Sequence, residues 1–383
     1  MLPAMRRIYL DYNASTPLAP QVAAIMQRLL EEAFGNPSST HWAGAPARAA
    51  VEQGRAEVAA LLGCAPEEIV FTSGGSEANN LALKGLFFSA GRPGASIITT
   101  AIEHPAIVEP CRFLERLGAR ITWLPVDRGG RIDPDDLRRA ISRDTLLVSV
   151  MHANNEVGTI QPIAECAAIA REHGIPFHTD AAQSVGKIPT RVDELGVDLL
   201  TLAGHKFHAP KGIGALYVRG GTRLEPLIHG AAHERGRRAG TESALLTAAL
   251  GAAAALAANL SPMQQVRTLR DHLRDGLRAA FGDRIACNGD PRHLLPNTLN
   301  VSFAGTTGAE VLAMLDGVAA STGSACHSGR IELSPVLRAM GVAPDVGLGA
   351  VRFSLGRGTT REEVDAVVER LAAAAWRGRS VSG

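Results

Sequence analysis

Apolar runs rich in β-branched residues alternate with helically spaced segments through most of the chain. Two examples are EEIVFTS followed by SEANNLALKGLFF, and SIITT followed by PAIVEPCRFLERLG. The alternation begins near Arg48 and continues through ITWLPV, LLVSVM, IPFHTD and VDLLTLAG. Strands that alternate with helices form mostly parallel sheets whose two faces are covered by the helices. The pattern therefore predicts an α/β fold built on such a sheet.

The pattern changes near Pro262. Before that residue, positions 243–260 form an alanine-rich helical stretch that could close the sheet-containing domain. After it come two helical stretches, the short strands NTLNVSF and VRFSLG, and a last helix over residues 360–376. A chain of 383 residues is too long for one compact core. We expect a large domain over residues 16–260 and a smaller α+β domain over residues 1–15 and 261–383.

Polar side chains follow several of the predicted strands at the point where each strand ends. Ligands of open α/β sheets bind outside the carboxyl ends of the strands, so we expect one binding crevice there. The polar positions concerned are residues 73–76, His104, Asn154, Asn155, Asp180, Gln183, His205 and Lys206.

Gly74, Gly75 and Ser76 lie between a predicted strand and a predicted helix. Free backbone N–H groups and the helix dipole at such a junction can hold a phosphate. A tight turn with a serine cap is the alternative explanation of the same residues. The stretch does not match the GxGxxG fingerprint of dinucleotide sites, so a dinucleotide is not expected.

Lys206 follows an apolar run, and Asp180 ends a predicted strand of its own. A lysine in a closed cleft loses its charge by desolvation and becomes nucleophilic, which suits a covalent bond to an aldehyde cofactor. An aspartate nearby could keep a pyridine nitrogen protonated and so make the ring an electron sink. A surface lysine and a helix N-cap aspartate are the alternatives for these two residues.

His104 and Arg352 complete a possible constellation. His104 could stack on a planar ring and relay protons, or it could serve as a core or cap histidine. Arg352 lies in an apolar strand, where an unpaired cation is costly, so we expect it to meet a carboxylate of the protein or of a substrate. Taken with the phosphate cradle, Lys206 and Asp180, these residues specify a pyridoxal phosphate enzyme.

Cys326 lies in STGSACHSGR, a run of small residues with the composition of a loop. A thiol on a mobile loop is either incidental or reactive, and the neighbouring His327 could raise its thiolate fraction. The other cysteines, Cys64, Cys111, Cys166 and Cys287, are scattered without CxxC spacing, which argues against a disulfide framework and against a metal site.

The overall composition favours a small substrate over nucleic acid or a membrane surface. The 39 lysines and arginines nearly balance the 38 aspartates and glutamates, so no strong global field attracts either partner. The start of the sequence lacks the apolar core of a signal peptide, and we expect a cytoplasmic protein with reduced thiols.

The ordered motifs resemble those of the cysteine desulfurase family, within the fold-type I aminotransferase-like enzymes. The resemblance covers nearly the whole chain and implies a large domain with a mostly parallel seven-stranded sheet. Its blocks are YLDYNAST, FGNPSSTH, IVFTSGGSEANN, EHPAI, MHANNEVGTIQPI, FHTDAAQSVGK, GHKFHAPKGIGALY, ERGRRAGTES, GSACHS and VRFSLGR.

The resemblance implies a role for each site residue in holding pyridoxal 5'-phosphate. Lys206 would carry the cofactor, Asp180 would meet the pyridine nitrogen, and His104 would stack on the ring. Asn155 and Gln183 would address the phenolic oxygen, and Asn155 with Arg352 would bind the substrate. The phosphate would be held by Gly75, Ser76, His205 and Thr241 of the partner subunit, since such enzymes are homodimers.

The resemblance also makes Cys326 the nucleophile that takes sulfur from L-cysteine as a persulfide, leaves L-alanine and passes the sulfur to an acceptor. An iron–sulfur scaffold, a tRNA-thiolation protein and DNA-modifying machinery are all open as that acceptor. The Cys326 segment is similar to that of the long-loop group. Two positions depart from the common pattern, because Ala203 lacks a hydroxyl and Ser76 stands where threonine is frequent.

Three alternatives remain at this point. The CHS triplet is similar to that of selenocysteine lyases and of desulfurases of DNA phosphorothioation, so the substrate could be L-selenocysteine. A scaffold that has lost its chemistry would retain the fold but bind no cofactor. A plain aminotransferase would release a ketoacid, and Cys326 would be a bystander.

Overall fold

The computed structural model describes residues 7–92, 94–322, 324–327 and 330–377, with the side chains of residues 324–327, 330, 331 and 375–377 outside the description. In chain order the strands are β1 (Ile8–Tyr9), β2 (Ile69–Thr72), β3 (Ser96–Thr100), β4 (Arg120–Leu124), β5 (Thr145–Ser149), β6 (Phe177–Asp180), β7 (Leu199–Ala203), β8 (Gly214–Val218), β9 (Ile285–Asn288), β10 (Thr298–Phe303), β11 (Val318–Ala319), β12 (Ser321–Thr322), β13 (Ser324–His327), β14 (Arg330–Leu333) and β15 (Ala350–Ser354).

The α-helices connect and cover these strands. In chain order they are α1 (Pro20–Glu32), α2 (Gly44–Leu62), α3 (Gly75–Ala90), α4 (Pro105–Arg116), α5 (Pro134–Ala140), α6 (Ile163–Glu172), α7 (Val192–Leu195), α8 (Ala244–Ala257), α9 (Pro262–Phe281), α10 (Gly308–Ala313), α11 (Pro335–Ala339), α12 (Pro344–Gly347) and α13 (Arg361–Arg377).

The principal sheet has seven strands in the order β2-β8-β7-β6-β5-β3-β4, which confirms the predicted α/β fold. Strands β3 to β7 pair in parallel, whereas β8 runs antiparallel to both of its neighbours, β2 and β7. Strands β2, β3, β6, β7 and β8 are buried along their whole length. Burial on both faces explains why they read as continuous apolar runs in the sequence.

The alanine-rich helix α8 packs against α2 at unusually close range. A Cβ atom on Gly54 would lie 2.4 Å from the Thr247 carbonyl oxygen, and one on Gly251 would lie 2.5 Å from the Gly54 Cα. Only glycine permits the two helix backbones to meet at this crossing. Leu250 and Ala253 of α8 share one apolar cluster with Leu200 and Leu202 of the large sheet.

Four further strands form a smaller antiparallel sheet in the order β12-β15-β10-β9, and β1 and β11 form a separate parallel pair. Leu273 on α9, Val301 on β10, Phe353 on β15 and Val364 on α13 share a core with Ile8 from the start of the chain. The N-terminal segment therefore packs with the last third of the sequence before it enters the large domain.

The backbone around Cys326 is extended and paired, which differs from the irregular loop that its composition predicts. Strand β13 pairs antiparallel with β14, and Cys326 stands opposite Ile331 in the register. Small residues do not prevent an extended ladder, and Leu333 at the end of β14 is buried in the apolar cluster around Ile102 and Leu337. The Cys326 side chain lies outside the description.

Within the described residues no single helix is long and apolar enough to cross a membrane. The stretch Ala244–Ala257 meets that criterion only jointly with Pro262–Arg284, across a bend of 74°. The described ranges also contain no cluster of three or more histidine, cysteine, aspartate or glutamate side chains that could hold a metal ion.

Candidate active site

The carboxyl ends of the parallel strands open into a crevice of about 390 Å³. The side of the crevice opposite the sheet is formed by the N-terminal segment and by β15, through Asn13, Ala14 and Arg352. The sequence-predicted residues that line this one crevice are Gly75, Ser76, His104, Asn155, Asp180, Gln183, His205, Lys206 and Arg352.

Lys206 follows the buried strand β7, at the end of a 3₁₀ turn over Gly204–Lys206. Its Nζ donates hydrogen bonds to the backbone oxygens of Asn13, at 2.7 Å, and Ala14, at 2.9 Å. Burial, together with the positive charge of Arg352, lowers the pKa of Lys206 to about 8. A substantial fraction of the amine is therefore unprotonated near neutral pH and can act as a nucleophile.

Asp180 ends strand β6 and is buried. Its Oδ2 accepts a hydrogen bond of 2.7 Å from Asn79 Nδ2, and its Oδ1 accepts one of 2.9 Å from the Ala182 backbone N–H. Both carboxylate oxygens thus have fixed hydrogen-bond donors. Asn79 lies on α3, one turn inside the helix, and was not predicted as a site residue although SEANN contains it.

His104 is the N-cap of α4, one of the alternatives open from the sequence, and it also lines the crevice. Its Nδ1 accepts a hydrogen bond of 3.1 Å from the Ala106 backbone N–H. Desolvation beside the crevice, aided by the positive charge of Lys206 and opposed by the negative charge of Asp180, lowers the pKa of His104. The neutral ring then carries its proton on Nε2.

The part of the crevice around the start of helix α3 has the features of a phosphate site. Gly75 and Ser76 begin helix α3, whose first backbone N–H groups have no partner within the helix. Within the described chain His205 Nδ1 is buried without a hydrogen-bond partner. Burial, followed by the charges of Lys206 and Lys211, lowers the pKa of His205 to about 4, so its ring is neutral. Ala203 lines this end as well, and no hydroxyl occupies its position.

Arg352 on β15 pairs with a carboxylate of the protein, one of the two alternatives open from the sequence. Its Nη2 lies 2.7 Å from Asp11 Oδ1 and donates to Ser321 Oγ, and its Nη1 donates to the Asn155 backbone oxygen at 2.9 Å. Its Nε is buried and has no partner among the described residues. Other atoms of Arg352 line the crevice.

Asn13 was not predicted as a site residue, although it lies in the YLDYNAST block. It is buried, and its backbone oxygen accepts from both Lys206 Nζ and Gln183 Nε2. Its side chain donates to the Asn155 oxygen and to Thr298 Oγ1. Asn13 thus links Lys206, the floor of the crevice and the smaller sheet.

Two of the predicted site residues, Thr241 and Cys326, are not among the described residues that line this crevice. Thr241 is exposed and does not line it, in keeping with a residue expected to serve the partner subunit's site. The Cys326 side chain lies outside the description. The residues present fit the cofactor that the resemblance implies, because the crevice offers a helix N-terminus with an unpartnered buried His205 nitrogen at one end, and a buried carboxylate and a half-buried amine at the other.

Comparison with known proteins gives a consistent result. The model of the family described as aminotransferase class V matches residues 8–367. A cysteine desulfurase IscS of Dictyoglomus turgidum is 48% identical over 370 residues, 96% of this chain and 94% of the relative. The solved structure of a NifS-like protein superposes with a TM-score of 0.90 at 37% identity, covering 96% of this chain and 99% of that one. A structure of SspA in complex with cysteine has a TM-score of 0.83 at 38% identity, covering 92% and 100%.

Proposed function

Because the chain belongs to the class V aminotransferase family and is a cysteine desulfurase, we propose that the crevice around Lys206 converts L-cysteine to L-alanine and delivers the sulfur through a Cys326 persulfide. Membership in this family implies dependence on pyridoxal phosphate. The observation that carries the proposal is the half-buried Lys206 amine with a pKa lowered to about 8, at the end of β7 and within the same crevice as Asp180 and Arg352.

When bound, pyridoxal phosphate supplies an electron sink that weakens the bonds at the α-carbon of an amino acid. Lys206 would hold the cofactor. Asp180, fixed by Asn79 and the Ala182 N–H, would keep a proton on the pyridine nitrogen. His104 would lie against the ring, while Gly75, Ser76 and the neutral His205 would hold the phosphate.

The substrate carboxylate would bind at Arg352 beside Asn155. Arg352 lines the crevice, and the pairing of its Nη2 with Asp11 fixes the guanidinium plane. Since Asp11 and a substrate carboxylate would share one cation, this site favours an amino acid with a single carboxylate. Lys206, with a pKa near the working pH, would accept and return a proton at its Nζ.

The sulfur step would take place at Cys326. Its thiolate would form an S–S bond to the substrate sulfur while the C–S bond of the substrate breaks. The electron pair of that bond stays with the carbon, which takes up a proton and becomes the methyl group of alanine. The persulfide left on Cys326 is then available to a protein acceptor, which we infer to be one of iron–sulfur cluster assembly.

The described cysteines support Cys326 as the reactive thiol because three of them are poor nucleophiles. Burial raises the pKa of Cys64, Cys111 and Cys166 to about 12 in each case. A thiol with such a pKa holds almost no thiolate at neutral pH. Cys287, the fourth, is half-buried on β9 at the outer edge of the smaller sheet.

We also propose that the enzyme is a homodimer, with Thr241 of the partner subunit completing the phosphate site. The exposed position of Thr241, away from the crevice of its own chain, supports this assignment.

The experiment is a matched pair of cysteine variants. Cys326→Ala should retain the visible absorbance of the bound cofactor but form no persulfide and no alanine from L-cysteine, whereas Cys287→Ala should behave like the wild type. Persulfide formation by Cys326→Ala would refute the assignment. Rates on L-selenocysteine, measured beside those on L-cysteine, distinguish a selenocysteine lyase from a cysteine desulfurase. Because a selenol is ionised at neutral pH, the reaction of L-selenocysteine depends less on Cys326.

A further inference from the structure

Lys187 is a buried lysine that the proposed reaction does not use. It follows the turn after β6, in QSVGK, and only 8% of its surface is exposed. Its Nζ donates to Asn13 Oδ1 at 3.0 Å and to Gln183 Oε1 at 2.8 Å, and both acceptors are neutral amide oxygens. A buried charge normally has a partner of opposite sign, so this lysine needs a different explanation.

The surroundings of Lys187 disfavour its charged form. Burial, followed by the positive charges of Lys206 and Arg352, lowers the pKa of Lys187 well below its ordinary value. An uncharged amine has two N–H donors, and the two amide oxygens account for both of them. Lys187 therefore fits this position as a neutral double donor rather than as an ion.

A double donor fixes the orientation of the amides that accept from it. Because Lys187 takes the Gln183 oxygen, the Gln183 Nε2 group must point the other way, towards the Asn13 backbone oxygen at 2.9 Å and the crevice that Gln183 lines. The same rule applies to Asn13, whose Oδ1 accepts from Lys187 and Asn297 while its Nδ2 donates to the Asn155 oxygen. A rotation of either amide would set oxygen against oxygen.

We infer that Lys187 is a positioning residue, which holds Gln183 so that an N–H group, and not an oxygen, faces the phenolic oxygen of the cofactor. Lys187 also holds Asn13, whose backbone oxygen accepts a hydrogen bond from Lys206 Nζ. It thereby fixes the acceptor that positions the Lys206 amine. This inference rests on the proposed function, because it assigns the phenolic oxygen to the Gln183 end of the crevice.

The test is the pH titration of the visible absorbance of the cofactor-loaded protein. An N–H donor to the phenolic oxygen stabilises its charged form and lowers the apparent pKa of the bound cofactor. Lys187→Met keeps the length and apolar contacts of the side chain but frees the Gln183 amide, so the apparent pKa should rise by about one pH unit. Lys187→Gln retains an N–H-bearing group on a shorter side chain and should give a smaller rise.

Two comparisons separate positioning from a general loss of structure. In a Gln183→Leu background, Lys187→Met should add no further shift, since the amide through which it acts is absent. Lys84→Met is the matched control, because Lys84 lies over the Phe113 ring, outside the crevice, and should leave the titration unchanged.

The outcomes also distinguish the positioning role of Lys187 from the proposed function. A wild-type protein without the visible band would overturn both. A normal wild-type band with unshifted titrations in Lys187→Met and Lys187→Gln, or with equal shifts in the presence and absence of Gln183, would overturn the role of Lys187 and leave the proposed function intact. If Lys187→Met does not fold, the Lys187→Gln titration decides the question in the same way.

Discussion

The Lys206 amine is positioned and electrostatically tuned before any cofactor arrives. Two backbone oxygens hold its Nζ, and its pKa is lowered to about 8 mainly by burial. The unprotonated amine is the nucleophile, so its availability increases as the pH rises towards the pKa and levels off above it.

The rate at which the cofactor-free protein takes up pyridoxal phosphate should follow this titration. We expect the rate to rise about tenfold per pH unit well below pH 8 and to reach a plateau above it. Rapid-mixing absorbance measurements across this range provide the check. A rate that still increases with unit slope up to pH 10 would mean that Lys206 has an ordinary lysine pKa.

Asn79 is expected to control the strength of Asp180 as a partner of the pyridine nitrogen. Asn79→Ala removes the 2.7 Å donor to Asp180 Oδ2 inside a buried site. A hydrogen bond to a charged group is worth about 1.5–3 kcal/mol, so the dissociation constant of the cofactor should rise roughly 10- to 100-fold. Equilibrium binding followed by fluorescence measures this change.

The matched control is Ser89→Ala, at the exposed end of the same helix. It should bind the cofactor like the wild type. Equal affinities for Asn79→Ala and Ser89→Ala would show that Asn79 does not support the Asp180 carboxylate.

At the scale of elements, the parallel sheet made most of the site predictable. Asp180 ends strand β6 and Lys206 comes shortly after strand β7. These strands are adjacent and parallel, so the two residues lie at the same edge of the sheet. The sequence does not show as directly which face of a helix points into the crevice, and the contact of Asn79 on α3 with Asp180 was therefore not predicted. Lys187 contacts Asn13 from 174 positions away, and no local pattern in the sequence predicts a contact of that range.

The composition around Cys326 predicts a loop because glycine and serine are frequent in turns. The paired strands β13 and β14 depend on the buried end of β14 as well as on those residues. Local propensity is therefore a weak guide where a small segment is anchored by tertiary packing.

The segment that presents Thr241 is anchored by a buried ion pair. Arg55 on α2 donates two hydrogen bonds of 2.8 Å to the carboxylate of Glu234, which also accepts from the Phe71 backbone N–H. Glu234 and Arg235 both have positive φ, at 48° and 57°, a conformation that is costly without glycine. The ion pair thus holds a strained turn in place.

Breaking this pair on one side should be strongly destabilising. Arg55→Met leaves the Glu234 carboxylate buried beside a single N–H donor, and we expect the free energy of unfolding to fall by about 3–5 kcal/mol. Arg48→Met, an exposed arginine on the same helix, should change it by no more than about 0.5 kcal/mol. Urea denaturation of the three proteins tests this, and similar midpoints for both variants would contradict it.

At the scale of the whole molecule, the crevice lies between the large sheet and the N-terminal segment, which packs with the smaller antiparallel sheet. Asn13 contacts Lys206 on one side and Thr298 of β10 on the other. The cofactor site therefore depends on parts of the chain that are distant in sequence. The balanced composition of the chain agrees with a small zwitterionic substrate.

The central claim is that Lys206 alone carries the cofactor, and the chain allows an unusually clean test because its only lysines are Lys84, Lys187, Lys206 and Lys211. Borohydride reduction of the loaded protein, followed by peptide mass mapping, should place the added cofactor mass on the peptide that contains Lys206 and on no other. Cofactor mass on Lys187 or Lys211 instead, or no stable addition after reduction, would contradict the account.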